Sequence, residues 1–411
     1  NGWVGTRTTD GRPSCWGGGV RFTSAGHAQT GVYDCNIVGN TAFCGSGGGV
    51  AAACFGGIVS NCLIACNLAT NVWESGWNNG DFGGGGVMFN EAGGSGTSRS
   101  TRTSGCRLID CVVSNNLATG NSAYGGGVGS GRAGHWIEGC TLVGNRVVGS
   151  TPGNASPGGA IYCDRFARIY NCVLTNNTCG SNASAAGIVC QACSIVSNCT
   201  VIASGGISVG GDVQNAVTQP SEIVGCYLDG CGTKQNGCSG GVRASIRNCY
   251  VTGYDGDGGA FATPADSCLV ENCTIVRNYR GVRVVGSSCV PFVNCVFDNR
   301  YIKNSQDISV PATHSNVGVT LTNCWFYAKD RINDFNLNTN CVFSAKPGFV
   351  DMENGDYRLT RRSLLRDAGL DSDWMTNAVD FAGNPRIFGK AVDIGCYENQ
   401  EPDPGLMLLF R

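Results

Sequence analysis

One phrase recurs through the chain and restricts its fold more than any other feature. It sets an apolar residue three places before a cysteine and a second apolar residue two places after it, as in VENCTIVRN at 270–278. The cysteines of its eleven copies are Cys35, Cys62, Cys111, Cys140, Cys172, Cys199, Cys226, Cys249, Cys273, Cys295 and Cys324, spaced 27, 49, 29, 32, 27, 27, 23, 24, 22 and 29 residues apart. A period of roughly 20 to 50 residues marks a solenoid, a propeller or an array.

The columns around the cysteine choose among these. The apolar column before it runs Val32, Val59, Leu108, Ile137, Ile169, Val196, Ile223, Ile246, Val270, Phe292, Leu321, and the one after it Ile37, Ile64, Val113, Leu142, Leu174, Val201, Leu228, Val251, Ile275, Phe297, Phe326. Positions flanking them are mixed, among them Glu138, Arg247 and Glu271, so apolar and polar alternate as in a strand with one face buried. The residue just before the cysteine is always Asn, Asp or Gly: Asp34, Asn61, Asp110, Gly139, Asn171, Asn198, Gly225, Asn248, Asn272, Asn294, Asn323. These residues best tolerate a left-handed backbone, which predicts a sharp bend between two short strands. A glycine cluster opens a third strand in most copies, as GGGV at 47–50 and 125–128 and GGAI at 158–161. Short strands, fixed bends and coils of about 22 to 32 residues predict an all-β parallel β-helix of about twelve coils, a rod of roughly 60 Å. A propeller needs four strands per repeat and does not fit a 22-residue copy.

GGA[IVL], together with an apolar residue followed three places later by Asn (IVGN, LVGN, IVRN), resembles the repeats of the polymorphic outer-membrane protein family of bacterial surface adhesins, and more broadly right-handed β-helix repeat proteins. The resemblance covers about residues 15–345. It implies a right-handed solenoid, and no single activity, because lyases, hydrolases, phage spikes and adhesins share that scaffold. GDYRLTRRSLLRDAGL (355–370) with VDFAGNPRIFGKAVDIGCYE (379–398) is similar to the segment that closes the β-helix in many large secreted bacterial proteins. Cys396 stands where alanine is usual there, and Arg361, Arg362 and Leu365 replace proline-containing wording. The expected organisation is therefore a β-helix over 1–345 with a loop insertion around 73–105, a closing segment over 346–398 and a tail strand over 399–411. GLMLLF in that tail reads either as a strand packed on the last coil or as one docked on a neighbouring subunit.

With 26 cysteines, 64 glycines and only 14% charged residues, the chain suits a long regular body. Its net charge of -2 offers no basic footprint for nucleic acid. No apolar run is long enough to span a bilayer, and NGWVGTRTTDG at the start lacks the features of a signal peptide. If the protein is exported, its signal is not within this sequence. The cysteines admit three readings: metal ligands, disulfides or small buried side chains. The one CxxC, Cys190 to Cys193, has no second pair at zinc spacing, and parallel stacking leaves equivalent β-carbons wider than the usual ~3.8 Å of a disulfide. The ladder cysteines are therefore expected to be reduced and buried. A few disulfides are expected among the rest, which include Cys15, Cys44, Cys54, Cys66, Cys106, Cys163, Cys179, Cys231, Cys238, Cys268 and Cys289.

No catalytic, cofactor-binding or metal-binding residue is assigned. The histidines, His27, His135 and His314, sit in unrelated contexts and read as surface or turn residues. Calcium is the one cofactor to weigh, at Asp255 and Asp257 or at Asp351, Glu353 and Asp356, and in both places an ordinary polar turn is the favoured reading. Trp73 and Trp77, in the longest excursion between copies, mark a candidate contact loop for a glycan or another subunit, and Trp136 and Tyr124 are further aromatics for sugar stacking. The expectation is an extracellular bacterial structural or adhesive rod that self-associates end to end or laterally, with a secreted polysaccharide lyase or hydrolase as the competing reading. A surface glycan is a further candidate partner.

Overall fold

The computed structural model describes residues 3–4, 15–24, 30–43, 45–54, 56–71, 83–90, 105–120, 123–131, 134–149, 157–180, 187–210, 220–241, 243–256, 258–262, 268–283, 290–309, 319–332 and 337–402. Their regular structure is β-strand, broken only by three-residue 3-10 turns. Each coil contributes one short strand to each of three long sheets, and every strand pairs in parallel with its counterpart one coil away.

The first sheet holds the strands before the cysteine, from Gly31–Tyr33 to Leu337–Thr339, and has twelve strands among the described residues. The second, also of twelve, holds those after it, from Asn36–Val38 to Val342–Phe343. The third, of eleven, follows the glycine clusters from Val20–Ser24 to Gln306–Ser309. Registers keep like against like: Val59, Leu108 and Ile137 are consecutive partners in the first sheet, and Ile64, Val113 and Leu142 in the second. These side chains are fully buried and fuse into one core along the coils. A fourth, five-stranded sheet, including Thr41–Phe43 and Leu68–Asn71, flanks the second in the early coils.

Two backbone columns enforce the coil. The residue before each ladder cysteine has positive φ, from 49° at Asn323 to 64° at Gly139 and Gly225. Four places after the cysteine a second left-handed column appears at Gly39, Cys66, Asn115, Gly144, Asn176, Ala203, Gly253 and Arg277. At the glycine clusters the need is steric as well. Gly84 has φ +67°, and a Cβ on Gly85 would lie 2.4 Å from the Gly126 carbonyl of the next coil, so neither accepts a side chain without moving backbone.

Cys341 belongs to a twelfth copy whose wording departs from the other eleven. Trp325 and Phe326 pair with Val342 and Phe343, while Leu321 pairs with Asn338 where the other copies carry an apolar residue. Within the excursion between Cys62 and Cys111, residues 83–90 are regular, and Val87–Asn90 pairs with the third-sheet strands on either side. The described part of the excursion thus gives the third sheet its strand for this coil, and the sites of Trp73 and Trp77 lie outside the described residues.

Candidate functional site

The ladder thiols come first, because the repeat advertises them. Cys273 is fully buried; its Sγ lies 3.3 Å from the Glu271 carbonyl and 3.7 Å from that of Ile246 in the preceding coil. It also hydrogen-bonds with the thiols of Cys249 and Cys295 above and below. Burial pushes its ionisation well above that of an ordinary thiol, so it stays protonated and unreactive. The same contacts, to the carbonyl two places back and to the previous coil, repeat at Cys62, Cys111, Cys140, Cys172, Cys199, Cys226, Cys249, Cys295 and Cys324. Cys35, at the early end, is exposed.

No disulfide joins any two described cysteines, so the bridges expected among the turn cysteines are not found there; Cys15, Cys44, Cys54 and Cys289 are outside the described side chains. Cys163 and Cys190 show the cause. They are register partners on adjacent coils and hydrogen-bond to each other, but parallel stacking holds their β-carbons an interstrand spacing apart, wider than a disulfide spans.

Five places after the ladder cysteine runs a buried amide column, Asn40, Asn67, Asn116, Asn145 and Asn177, ending on Ser204. Asn116 Nδ2 donates to Ile64 O at 2.8 Å and Asn145 Oδ1 at 3.0 Å, while its own Oδ1 accepts from the Asn67 backbone and side chain at 2.9 and 3.0 Å. A second run, Asn278 to Asn299, ends on Asp307, held by Arg331 at 2.9 Å. The IVGN wording carries this signal, and it is structural.

Several expectations change. His135 is buried rather than on a surface or turn: it stacks on Phe89 at 5.1 Å, accepts the Cys106 amide through Nδ1 at 3.1 Å, and burial pushes its pKa down to about 4. Tyr124 is buried against Tyr162 at 4.4 Å and presents no sugar-stacking face. Trp136 stands on the outer face of the first sheet, its Nε1 donating to Glu138 at 2.8 Å, with Arg107 and Tyr170 beside its ring. Asp351 caps its own turn through Asn354, Asp356 pairs with Arg358 and Glu353 with Arg300, so these three carboxylates are spent on local structure. Asp255 is exposed, and Asp257, His27 and His314 are outside the described residues. Among the described residues no three His, Cys, Asp or Glu gather as a metal set.

The outside of the second sheet is where the molecule is uneven. Residues 349–402 do not sit across the end of the rod; they lie along this flank. Tyr250, Val276, Val296 and Trp325 of the coils bury against Tyr357, Leu359, Leu365, Ile394 and Cys396 of the closing segment. The bend asparagines point amides into it: Asn248 donates to Val379 O, Asn272 to Asp393 O, Asn294 to Leu370 O and Asn323 to Ala368 O, at 3.1, 3.1, 2.9 and 3.2 Å. The segment is knotted by buried Arg386, which reaches Glu398 at 3.1 Å and the Asp393 and Gly395 carbonyls, and by Asp380, which accepts from Ala382, Asn384 and Glu398 amides. A strut joins it to the rod: Asp298, fully buried, takes Tyr357 OH on one oxygen and Arg300 on the other, and Arg300 continues to Glu353. Burial raises the Asp298 carboxyl above its ordinary range.

In the early coils the same columns are bare. Val38, Leu63, Val112 and Val173 are 43, 38, 42 and 41% exposed, against none for Trp325. The bend residues Asp34, Asn61, Asp110, Asn171 and Asn198 are exposed beside them. The open flank therefore exposes, in an interrupted row of apolar and Asp or Asn side chains, the columns that the closing segment occupies further along.

A family model described as a right handed beta helix region matches residues 186–346. No curated protein matches the chain. Together with the three stacked parallel sheets, the match makes this a right-handed parallel β-helix repeat protein. That fold suits both surface adhesins and enzymes acting on polysaccharides. No helix among the described residues is long and apolar enough to cross a membrane.

Proposed function

We propose that this chain is an extracellular structural or adhesive rod of a bacterial surface, working through its flanks. The observation that supports the reading is the open half of the second-sheet flank. Exposed apolar side chains at Val38, Leu63, Val112 and Val173 stand there beside exposed Asp and Asn bend residues, next to a region where the same columns already bind polypeptide. A sparsely charged surface of this kind suits contact with another macromolecule. The buried reduced thiols and amide columns supply rigidity along the rod. The competing reading, a polysaccharide lyase or hydrolase, would draw on Asp298, Arg300 and Glu353, where two carboxylates meet one guanidinium. Both Asp298 oxygens are committed to Tyr357 and Arg300, so the group favours a strut over general acid or base work.

The test is location and product together. Antibody labelling of intact cells should decorate the surface, and incubation with uronate polymers should release no unsaturated sugars. A wholly internal pool, or release of such sugars that Asp298→Asn abolishes, would refute the reading.

A further inference from the structure

We propose that the corner between the second and third sheets, over the last three full copies of the repeat, is a binding surface for an acidic polysaccharide, one that carries sulfate or carboxylate groups along its chain. The inference goes beyond the rod reading and uses a different face from the open flank. The GLMLLF run of the tail lies outside the described residues and plays no part in it.

The repeat itself exposes the anomaly. In the six copies from Cys35 to Cys199, the residues four to eight places after the cysteine hold a single charged side chain, Arg146. In the three copies at Cys273, Cys295 and Cys324, the same places hold Arg277, Arg280, Arg300, Lys303, Lys329 and Arg331, with Asp330 as the only acid. The interior is alike in both groups, so the change belongs to the surface. The chain's net charge of -2 conceals it.

The fold gathers these side chains into one patch. Arg277 lies over the Tyr301 ring of the next coil at 4.5 Å, and Arg300 lies over both Tyr301 and Tyr327, at 4.3 and 4.1 Å. Arg331 reaches back to Asp307 at 2.9 Å, and Arg283, at the end of strand Arg280–Arg283, is the register partner of Ser309. The patch therefore covers two coil steps along the rod, about 10 Å, and about 20 Å around the coil from Arg277 to Arg283.

Its cations divide into two sets. Arg300 and Arg331 are neutralised by the buried carboxylates of Asp298 and Asp307, and Arg300 meets Glu353 as well. Arg277, Arg283, Lys303 and Lys329 have no carboxylate partner among the described residues. Arg277 is held in place by donating from Nη2 to the Met352 and Glu353 carbonyls, while Lys303 and Lys329 stand exposed. The first set builds the platform, and the second leaves four positive charges for a ligand.

Chemistry selects the occupant. These four charges are spread over the patch instead of converging on one point, which suits a polymer with repeated charges over a single small anion. The hydroxyls of Tyr279 and Tyr327 have no partner among the described residues and stand beside Arg280 and Arg300. A hydroxyl-rich chain thus finds hydrogen-bonding groups between its ionic contacts. Single-stranded nucleic acid needs open aromatic faces for its bases, whereas each of these rings already carries a guanidinium. Duplex binding draws on about six or more phosphate contacts, more than the patch supplies.

The test measures binding of the full chain to dextran sulfate, polygalacturonate, neutral dextran, polyglutamate and a single-stranded oligonucleotide, at low and raised salt. Dextran sulfate or polygalacturonate should bind at low salt and be released as salt screens the contact, and the tighter of the two identifies the acidic group. Neutral dextran should not bind. Arg283→Gln/Lys303→Gln/Lys329→Gln, at side chains with no described partner, should weaken binding by about tenfold. Arg21→Gln/Arg107→Gln/Arg146→Gln removes the same charge from exposed sites in the early coils and should bind as the native chain does. Circular dichroism and the denaturation midpoint check that both variants fold. Equal loss in the two variants would overturn the site, since net charge alone would then explain binding. So would native affinity in the first variant, failure of both acidic polysaccharides to bind at low salt, or tighter binding of polyglutamate or the oligonucleotide. Each of those results leaves the rod reading standing, because cell-surface location decides it separately.

Discussion

The early and late halves of the second-sheet flank are built from one repeat and differ in what lies on them and in the side chains they present to it. In the late half, Tyr250, Val296 and Trp325 are buried and the bend amides are bonded to backbone; in the early half Leu63, Val112 and Val173 face outward and the bend amides are free of any closing segment. A solenoid's coils contact chiefly their neighbours, so identical interiors can carry unlike exteriors. What distinguishes the halves is the size of the outer side chains: Tyr, Val and Trp where the segment lies, and Leu, Val and Thr where it does not.

Five measurements sharpen or break that comparison. Trp325→Ala should destabilise the late half by about 4 kcal/mol, the usual cost of emptying a fully buried aromatic site, seen in a denaturation midpoint; Val112→Ala, at the matching outer position, should change stability by less than about 0.5 kcal/mol. Equal losses would mean the early flank is covered too. Next, His135 ties the early half to pH. Its folded pKa lies near 4 and its unfolded one near 6.5, so between these values the unfolded chain binds more protons. The contribution of His135 to stability should fall as pH drops from about 6.5 to about 4, by about 3 kcal/mol in all, and then level; Asp393 and Glu398, whose burial raises them to about 6 and about 8, slope the other way in the same range. The difference in stability between the native chain and His135→Gln, measured across that range, should isolate the His135 slope, and a difference independent of pH would count against the buried site.

A smaller difference is expected along the bend column. Asn272→Ala strains a left-handed residue and strips a buried carbonyl of its donor, for about 3 kcal/mol; Asn171→Ala pays only the strain, about 1 kcal/mol. By contrast the interior should show no asymmetry: Asn116→Ala and Asn278→Ala each remove a member of a buried amide column and should cost about the same, roughly 2 to 3 kcal/mol. The least effect belongs to thiol chemistry. Peptide mapping after alkylation of the native protein should find Cys35, Cys66 and Cys231 labelled first, as the exposed thiols, with Cys199 and Cys273 labelled only on unfolding.

The fold was legible because its rules are local. Positive φ at Asn61 or Asn272 needs a tolerant residue, and alternation about Cys62 or Cys273 needs one buried face, so each coil states its own geometry. Cys341 escaped because Asn338 breaks the apolar column where the coil is ending. The amide column was visible as the final Asn of IVGN, yet the side chain's inward direction follows only once the second bend four places after the cysteine is known. His135 was misplaced because a single residue carries no period, and its burial depends on Phe89 from a different coil. The flank was illegible for a related reason: whether Val112 or Val296 is covered depends on where residues 349–402 lie, and no repeat encodes that.

The central claim is that one flank is covered in its late coils and open in its early ones. Hydroxyl-radical footprinting of the monomeric protein, read residue by residue, tests it most directly. The account predicts strong modification at Leu63, Val112 and Val173 with protection of Trp325, Tyr357 and Leu365. Equal protection of both groups, or modification of Trp325 at the rate of Val112, would contradict it.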